Sequence, residues 1–196
     1  MQMKQASERR EQVELIQNLE KMYALKHMPR AGWVQAGISA ENVESVASHS
    51  FGIALLTLIL RPQLESAGLN VERALEIAVV HDLAESIIGD LTPEDGIPPK
   101  EKHRRESDAF RQLMEVVPTG ERYLQLWDEF ESGSSAEGKL IRRLDKLDML
   151  VQAYLYEKRY EIRLDSFWEG MSVLFEGTES ERIYASIAAH RYQIKD

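Results

Sequence analysis

The stretch IAVVHDLAESIIGD, residues 77–90, decides how the rest of the chain reads. Four apolar residues, Ile77 to Val80, run straight into His81–Asp82. Ala74, Leu75, Ala78, Val79 and Leu83 recur at helical spacing, so the segment predicts a helix over 71–86 with one face in a core. Asn70 is placed to cap its start, and Gly89–Asp90 with Thr92–Pro93 to end it. On such a helix Glu85 lies one turn beyond His81, on the same face. Asp82 and Glu85 then repel each other and are poorly solvated among apolar neighbours. A cation bound between them answers both costs.

Outward from this segment the helical pattern continues. Residues 8–27 carry Val13, Ile16, Leu19, Tyr23 and His27 at helical spacing, and Met28 to Trp33 breaks that helix. A second helix is predicted over 41–60, apolar around most of its second half and stopped by Pro62. Pro98–Pro99 sets the first turn of a fourth, from about Lys100 to Val117. Pro118–Thr119–Gly120 separates a fifth, which ends near Glu131, and Ser132 to Ser135 is a short linker. The sixth, 136–160, is the most periodic. The tail holds one or two more, opened by the capping box Thr178-x-x-Glu181. Alternating β-branched runs are few. The expected fold class is all-α, a bundle of about seven or eight helices, in one domain over 1–196 with its core at about 10–160 and a helical tail at 161–196.

Composition narrows the function. Asp plus Glu outnumber Lys plus Arg by 33 to 24, a formal net charge of −9, which argues against a nucleic-acid polymer as partner. One small phosphate ester is still within reach of a local Arg or a metal. With no Cys, a thiolate zinc site, an iron–sulfur cluster, a disulfide scaffold and a Cys nucleophile are all excluded. The longest apolar stretch, Ile53 to Leu60, is too short to span a membrane. The opening residues MQMKQASERREQVELIQ carry no apolar run of signal-peptide type, so a cytoplasmic location is expected.

Any metal must therefore sit on His, Asp and Glu. His49 opens the most apolar helix, in Ser48-His49-Ser50-Phe51, and Asp145 lies among Leu residues in Leu144-Asp145-Lys146-Leu147-Asp148. Together with His81 and Asp82 they offer two imidazoles and two carboxylates, a donor set suited to a divalent ion of the Mn, Fe, Co, Ni or Zn type. Spacing alone leaves ordinary readings beside this one: His49 as a capped core histidine, Asp145 as the ion-pair partner of Arg142, Arg143 or Lys146.

The order His49, His81–Asp82, Asp145 resembles the HD-domain metal-dependent phosphohydrolases, an all-helical family. Further runs sharpen the likeness: Pro29-Arg30-x-Gly32-Trp33, Glu44-Ser45-Val46-x-x-His49-Ser50, Val80-His81-Asp82-Leu83-Ala84-Glu85, Gly89-Asp90-Leu91-Thr92-Pro93 and Lys102-His103-Arg104-Arg105-Glu106. They are similar to the branch of HD domain-containing protein 2, itself similar to bacterial 5′-deoxynucleotidases. The resemblance implies His49, His81, Asp82 and Asp145 as ligands of one divalent metal ion, Mn, Co, Fe, Ni, Zn or Mg. It implies Glu85 as the acid/base or water-orienting carboxylate and Asp90 as a second polar group at the substrate. Arg30 would hold the phosphate and Trp33 would crowd the 2′ position of the sugar, although here Ala31–Gly32 separates the two. Dinuclear members need more His between the HD pair and the last Asp. Only His103 lies there, in a basic run, which points to a single metal.

The expected activity is removal of the 5′-phosphate from nucleoside monophosphates, deoxyribonucleotides above all, by a homodimeric enzyme. Two alternatives stay open: another phosphate ester, such as a nucleoside triphosphate or cyclic phosphodiester, and a non-catalytic metal-holding module. Glu85 and Asp90 weigh against the latter, because a purely structural site has no need of extra carboxylates.

Overall fold

The computed structural model describes residues 2–193. Among them the regular elements are all helical, and the one extended pairing is an isolated antiparallel bridge between Pro29 and Ser45. Seven helices reach ten residues or more: α1 (Gln2–Ala24), α3 (Val46–Ile59), α5 (Val71–Val80), α7 (Pro99–Met114), α8 (Gly120–Ser132), α9 (Ala136–Tyr160) and α12 (Glu181–Gln193). Five shorter ones join them: α2 (Ala31–Gln35), α4 (Arg61–Ser66), α6 (Glu85–Ile88), α10 (Asp165–Trp168) and α11 (Ser172–Phe175). The all-α class therefore holds, and the extra segments are mostly single turns.

The chain forms two compact units interleaved in sequence. The first comprises Met1–Ser50 and Val79–Asp128, the second Phe51–Ala78 and Glu129–Asp196. In the first, α6 packs on both α1 and α7. Asn18 is buried on α1 and donates its amide to the Gln112 and Leu113 carbonyls at 3.3 and 3.1 Å. These belong to the last turn of α7, where carbonyls lack intrahelical donors. The apolar stripe Val13, Ile16, Leu19 and Tyr23 faces solvent instead. Phe110 stacks on Trp127 at 5.4 Å and ties α7 to α8.

In the second unit α9 meets α10 and α12, and α12 also meets α11. The Ser135 hydroxyl accepts the Gly138 N–H at 2.9 Å and starts α9 where the sequence places it. Leu140, Ile141, Leu144, Leu147 and Leu150 run along its buried side, each worth about 1.5–3 kcal/mol over exposure. Asn70 caps α5 as expected, its Oδ1 accepting the Arg73 N–H at 3.0 Å.

Three expectations are corrected. The helix expected over 41–60 begins only at Val46, because residues 44–46 are drawn into extended pairing with 28–30. A 3₁₀ turn, Ala40–Asn42, precedes that pairing. The helix expected over 71–86 divides at His81–Ala84 into α5 and α6. The capping box at the tail does not form: Thr178 donates its hydroxyl to the Phe175 carbonyl, while Glu181 accepts the Gly177 N–H.

Candidate functional site

Local structure brings the site residues of the first unit together. The Arg30 N–H donates to the Glu44 carbonyl and the Val46 N–H to the Met28 carbonyl, both at 3.0 Å. This short clamp fixes the chain just before α3, and the Ser45 hydroxyl accepts the Ser48 N–H at the helix start. His49 follows on the first turn, fully buried.

At the break between α5 and α6 the bonding tightens from i→i−4 to i→i−3. Leu83, Glu85 and Ser86 donate to the carbonyls of Val80, Asp82 and Leu83 at 3.2, 3.1 and 3.1 Å. In such a turn residues i and i+3 lie one above the other. Asp82 and Glu85 therefore share a side, where a regular helix would have paired His81 with Glu85. Gly89 then takes φ 83°, a left-handed conformation suited to glycine, and turns the chain towards Asp90.

One oxygen is the focus. Asp82 Oδ2 lies 3.0 Å from His81 Nε2, 3.8 Å from His49 Nε2 and 3.3 Å from Arg30 Nη1. The two imidazoles meet edge to face with centroids 5.6 Å apart. One donor atom from each of His49, His81 and Asp82 falls within 4.8 Å of the others, close enough for one ion to touch all three. Two ring nitrogens and a carboxylate oxygen suit a divalent ion of intermediate softness, so these residues fit a metal.

Burial alone would raise the Asp82 pKa. The charge and hydrogen bond of His81, with Arg30 and His49 behind them, overcome it and hold the carboxylate well below its ordinary range. Glu85 goes the other way. It is 6% exposed, and burial, then the negative charges of Asp82 and Asp90, push its pKa well above the ordinary value against the pull of Arg30 and Lys102. Its Oε2 is sealed from solvent with no hydrogen-bond partner among the described residues. Asp90 accepts the Ala31 N–H at 2.7 Å through Oδ2, and the same oxygen lies 3.9 Å from Arg30 Nε. The Arg30 guanidinium thus stands between Asp82 and Asp90.

Trp33 is 2% exposed and donates its indole N–H to Glu44 Oε1 at 2.9 Å. Asp145 lies on α9 in the second unit, its Oδ2 3.1 Å from Lys146 Nζ. His103 is exposed and stacks on Trp127 at 5.6 Å. Sequence reasoning passed over two residues. Glu44 stood in a quoted run without a role. Asp148 is buried on α9 so close to α3 that a Cβ at Gly52 would come 2.0 Å from its Oδ1. A lone glycine inside the most apolar helix was the available signal for that approach.

Comparison with known proteins identifies the family. The family model described as HD domain matches residues 22–181, running through both units. A human protein named 5′-deoxynucleotidase HDDC2 is 35% identical, over 90% of this chain and 86% of its own length. A Schizosaccharomyces pombe protein named 5′-deoxynucleotidase hdd1 is 36% identical, over 86% of this chain and 91% of its own. The crystal structure of PH0347 protein from Pyrococcus horikoshii OT3 superposes with a TM-score of 0.73 at 34% identity, covering 92% of this chain and 99% of that one. The chain belongs to the HD domain family. Membership implies dependence on a metal, and the His49–His81–Asp82 cluster is a place for one. Among the described residues no helix is long and apolar enough to cross a membrane.

Proposed function

We propose that this chain is a metal-dependent phosphohydrolase that removes the 5′-phosphate of nucleoside monophosphates, with deoxyribonucleoside 5′-monophosphates as the main substrates. The observation that carries the reading is the convergence of His49, His81 and Arg30 on Asp82 Oδ2, beside a buried Glu85 whose Oε2 has no hydrogen-bond partner among the described residues. Likeness to proteins named 5′-deoxynucleotidase supports the substrate class.

His49, His81 and Asp82 are proposed as ligands of a single divalent ion, Mn, Co, Fe, Ni, Zn or Mg, with Asp145 as a fourth on the strength of the resemblance alone. When bound, such an ion would supply positive charge for the phosphoryl oxygens and lower the pKa of a water, which could then lose a proton to solvent and attack phosphorus. Arg30 offers a planar set of N–H donors to the same phosphate. Asp90 keeps a part at the substrate by holding the Ala31 N–H and flanking Arg30, so that the guanidinium is oriented before the phosphate arrives. Glu85, favoured in its protonated form by burial, hands a proton to the leaving 5′-oxygen as the P–O bond breaks. Little of the Trp33 ring reaches solvent, so it meets a sugar only through an edge, and an anchored edge crowds a 2′-hydroxyl more firmly than a mobile one.

A cytoplasmic homodimer is part of this proposal. Phe51, Leu55, Leu58 and Ile59 form an exposed apolar face on α3 that suits a second copy, and light scattering reads the mass. The activity is tested by a phosphate-release screen over ribo- and deoxyribonucleoside 5′-monophosphates with each divalent metal in turn. Release is expected to stop with a chelator, return with metal, and run faster on the deoxy series. No release with any metal, or release that survives chelation, overturns the reading.

A further inference from the structure

Glu44 makes two bonds to one short turn. Its backbone carbonyl accepts the Arg30 N–H at 3.0 Å, and its carboxylate accepts the Trp33 indole N–H at 2.9 Å. Between these bonds lie Ala31 and Gly32, the residues that separate the two groups proposed to meet the nucleotide. The bridge from Pro29 to Ser45 and the bond from Val46 to Met28 extend the same clamp by two residues in one direction. A Glu44 carboxylate oxygen also lies within 4.8 Å of a His49 ring nitrogen, so the clamp sits beside the proposed metal cluster.

Asp90 holds the same turn from within, through the Ala31 N–H beside Arg30. The segment carrying Arg30 and Trp33 is thus pinned by carboxylates from two different stretches of chain. One of them, Asp90, lies next to the guanidinium; the other binds the indole. A charge-assisted bond to a mostly buried N–H is among the stronger kinds of anchor, and losing it leaves a donor unanswered. Arg30 and Trp33 are held in one frame, so a change at the indole end is felt at the guanidinium.

We propose that Glu44 is a positioning residue for the nucleotide: by gripping the Arg30–Trp33 turn at backbone and side chain, it sets where the guanidinium and the indole edge meet the substrate. This deepens the 5′-nucleotidase reading and rests on it. Glu44 does not touch the reacting atoms; it acts through Trp33 and Arg30. Only its side-chain bond can be removed by mutation, which makes the indole the reporter.

The test compares wild type, Glu44→Ala, Glu44→Gln, Trp33→Phe and the double variant Glu44→Ala/Trp33→Phe, each with its metal loaded. NMR follows the Trp33 indole N–H, assigned by its loss in Trp33→Phe. In Glu44→Ala that resonance is expected to move and its hydrogen exchange to speed up by about tenfold, while KM rises by about tenfold with kcat little changed, and preference for the deoxy substrate falls. Glu44→Gln, whose amide oxygen still accepts the indole N–H, is expected to restore the resonance and KM. If Glu44→Ala fails to fold, Glu44→Gln and the Phe variants carry the decision, because Trp33→Phe deletes the same bond from the other side and is expected to raise KM as Glu44→Ala does. In the double variant Glu44→Ala should add nothing to Trp33→Phe. An unmoved indole resonance in Glu44→Ala, an unchanged KM in Trp33→Phe, a loss that Gln does not rescue, or additive losses in the double variant overturn the proposal. A wild type that releases no phosphate from any nucleotide defeats the underlying activity instead, and the indole resonance still decides whether Glu44 holds the turn.

Discussion

Arg191 and Glu157, both nearly sealed from solvent, answer each other with two hydrogen bonds of 2.7 and 2.8 Å, and the Leu164 N–H adds a third to the same carboxylate at 2.7 Å. The guanidinium also lies over the Trp168 ring, 4.7 Å from its centroid. Around Asp82 the arrangement is of another kind. Two imidazoles and a guanidinium crowd one oxygen, a second carboxylate is pushed towards its neutral form, and a buried Glu85 oxygen has no hydrogen-bond partner among the described residues. The first cluster closes on itself, each buried charge answered by an opposite one, with Asp165 also accepting from Arg191 Nη2. The second holds like charges together and keeps coordinating capacity in reserve. A buried ionic group that is complete serves the fold, whereas one that is incomplete is waiting for something, which is the physical ground for reading a site at Asp82.

The sharpest way to break this contrast is Asp82→Asn, which keeps the shape and removes the charge on which three groups converge. Metal content measured by elemental analysis is expected to fall from one per chain to none, and phosphate release to the level of chelated protein. Full metal retention would mean that the cluster is as self-contained as the Arg191 pair. Next comes Glu85→Gln. Metal should stay bound while kcat falls by about 10²–10⁴, the usual worth of a positioned proton donor. Unchanged turnover would place the acid elsewhere. For the closed cluster the expectation reverses. Glu157→Ala removes both bonds of a buried guanidinium to Glu157 and leaves it only the exposed Asp165 carboxylate as an ionic partner, so it should cost about 3 kcal/mol in urea unfolding, with metal content and turnover per folded molecule preserved. A variant that lost turnover while remaining stable would show that the two clusters are not separate in purpose.

Much of this was legible in the sequence, and the rest failed for reasons that can be named. The bounds of α9 follow from a hydroxyl cap and a long helical period, both local signals, and Pro98–Pro99 and Asn70 mark the starts of α7 and α5 in the same way. His49, His81 and Asp82 could be singled out because polar residues interrupt apolar runs, and the structure brings the three together, although spacing alone left His49 open to a core role. Helical period is blind, however, to a change of pitch, so the tight turn at His81–Ala84 was invisible. On α1 helical spacing did not say which side is buried: Asn18 turns inward to donate to the end of α7, and the apolar stripe lies outside. The pairing of Trp33 with Glu44 and the closeness of Gly52 to Asp148 arise from tertiary contact, which no local pattern records.

The smallest expected effect sits on the surface and calibrates the other two regions. Glu101, in the first turn of α7, accepts from Arg104 Nε and Nη2 at 2.9 Å each and from Arg105 Nε at 2.8 Å. The Arg104 hydrogen bonds, then that of Arg105, draw its pKa from 4.5 down to about 2. Because the folded value lies below the ordinary one, any stabilisation is complete above about pH 4.5 and is lost as pH falls from there towards 2. These groups stand in water, where salt screens them, so the loss should be far smaller than that caused by Glu157→Ala. A carbon NMR titration of the Glu101 carboxyl at low salt should find a midpoint near 2, moving back towards 4.5 in Arg104→Ala, less far in Arg105→Ala, and upward again in molar salt. A midpoint already at 4.5 at low salt would mean that the surface pairs do not persist. Charge in this protein would then be held firmly only where water is excluded, around Glu157 and Asp82.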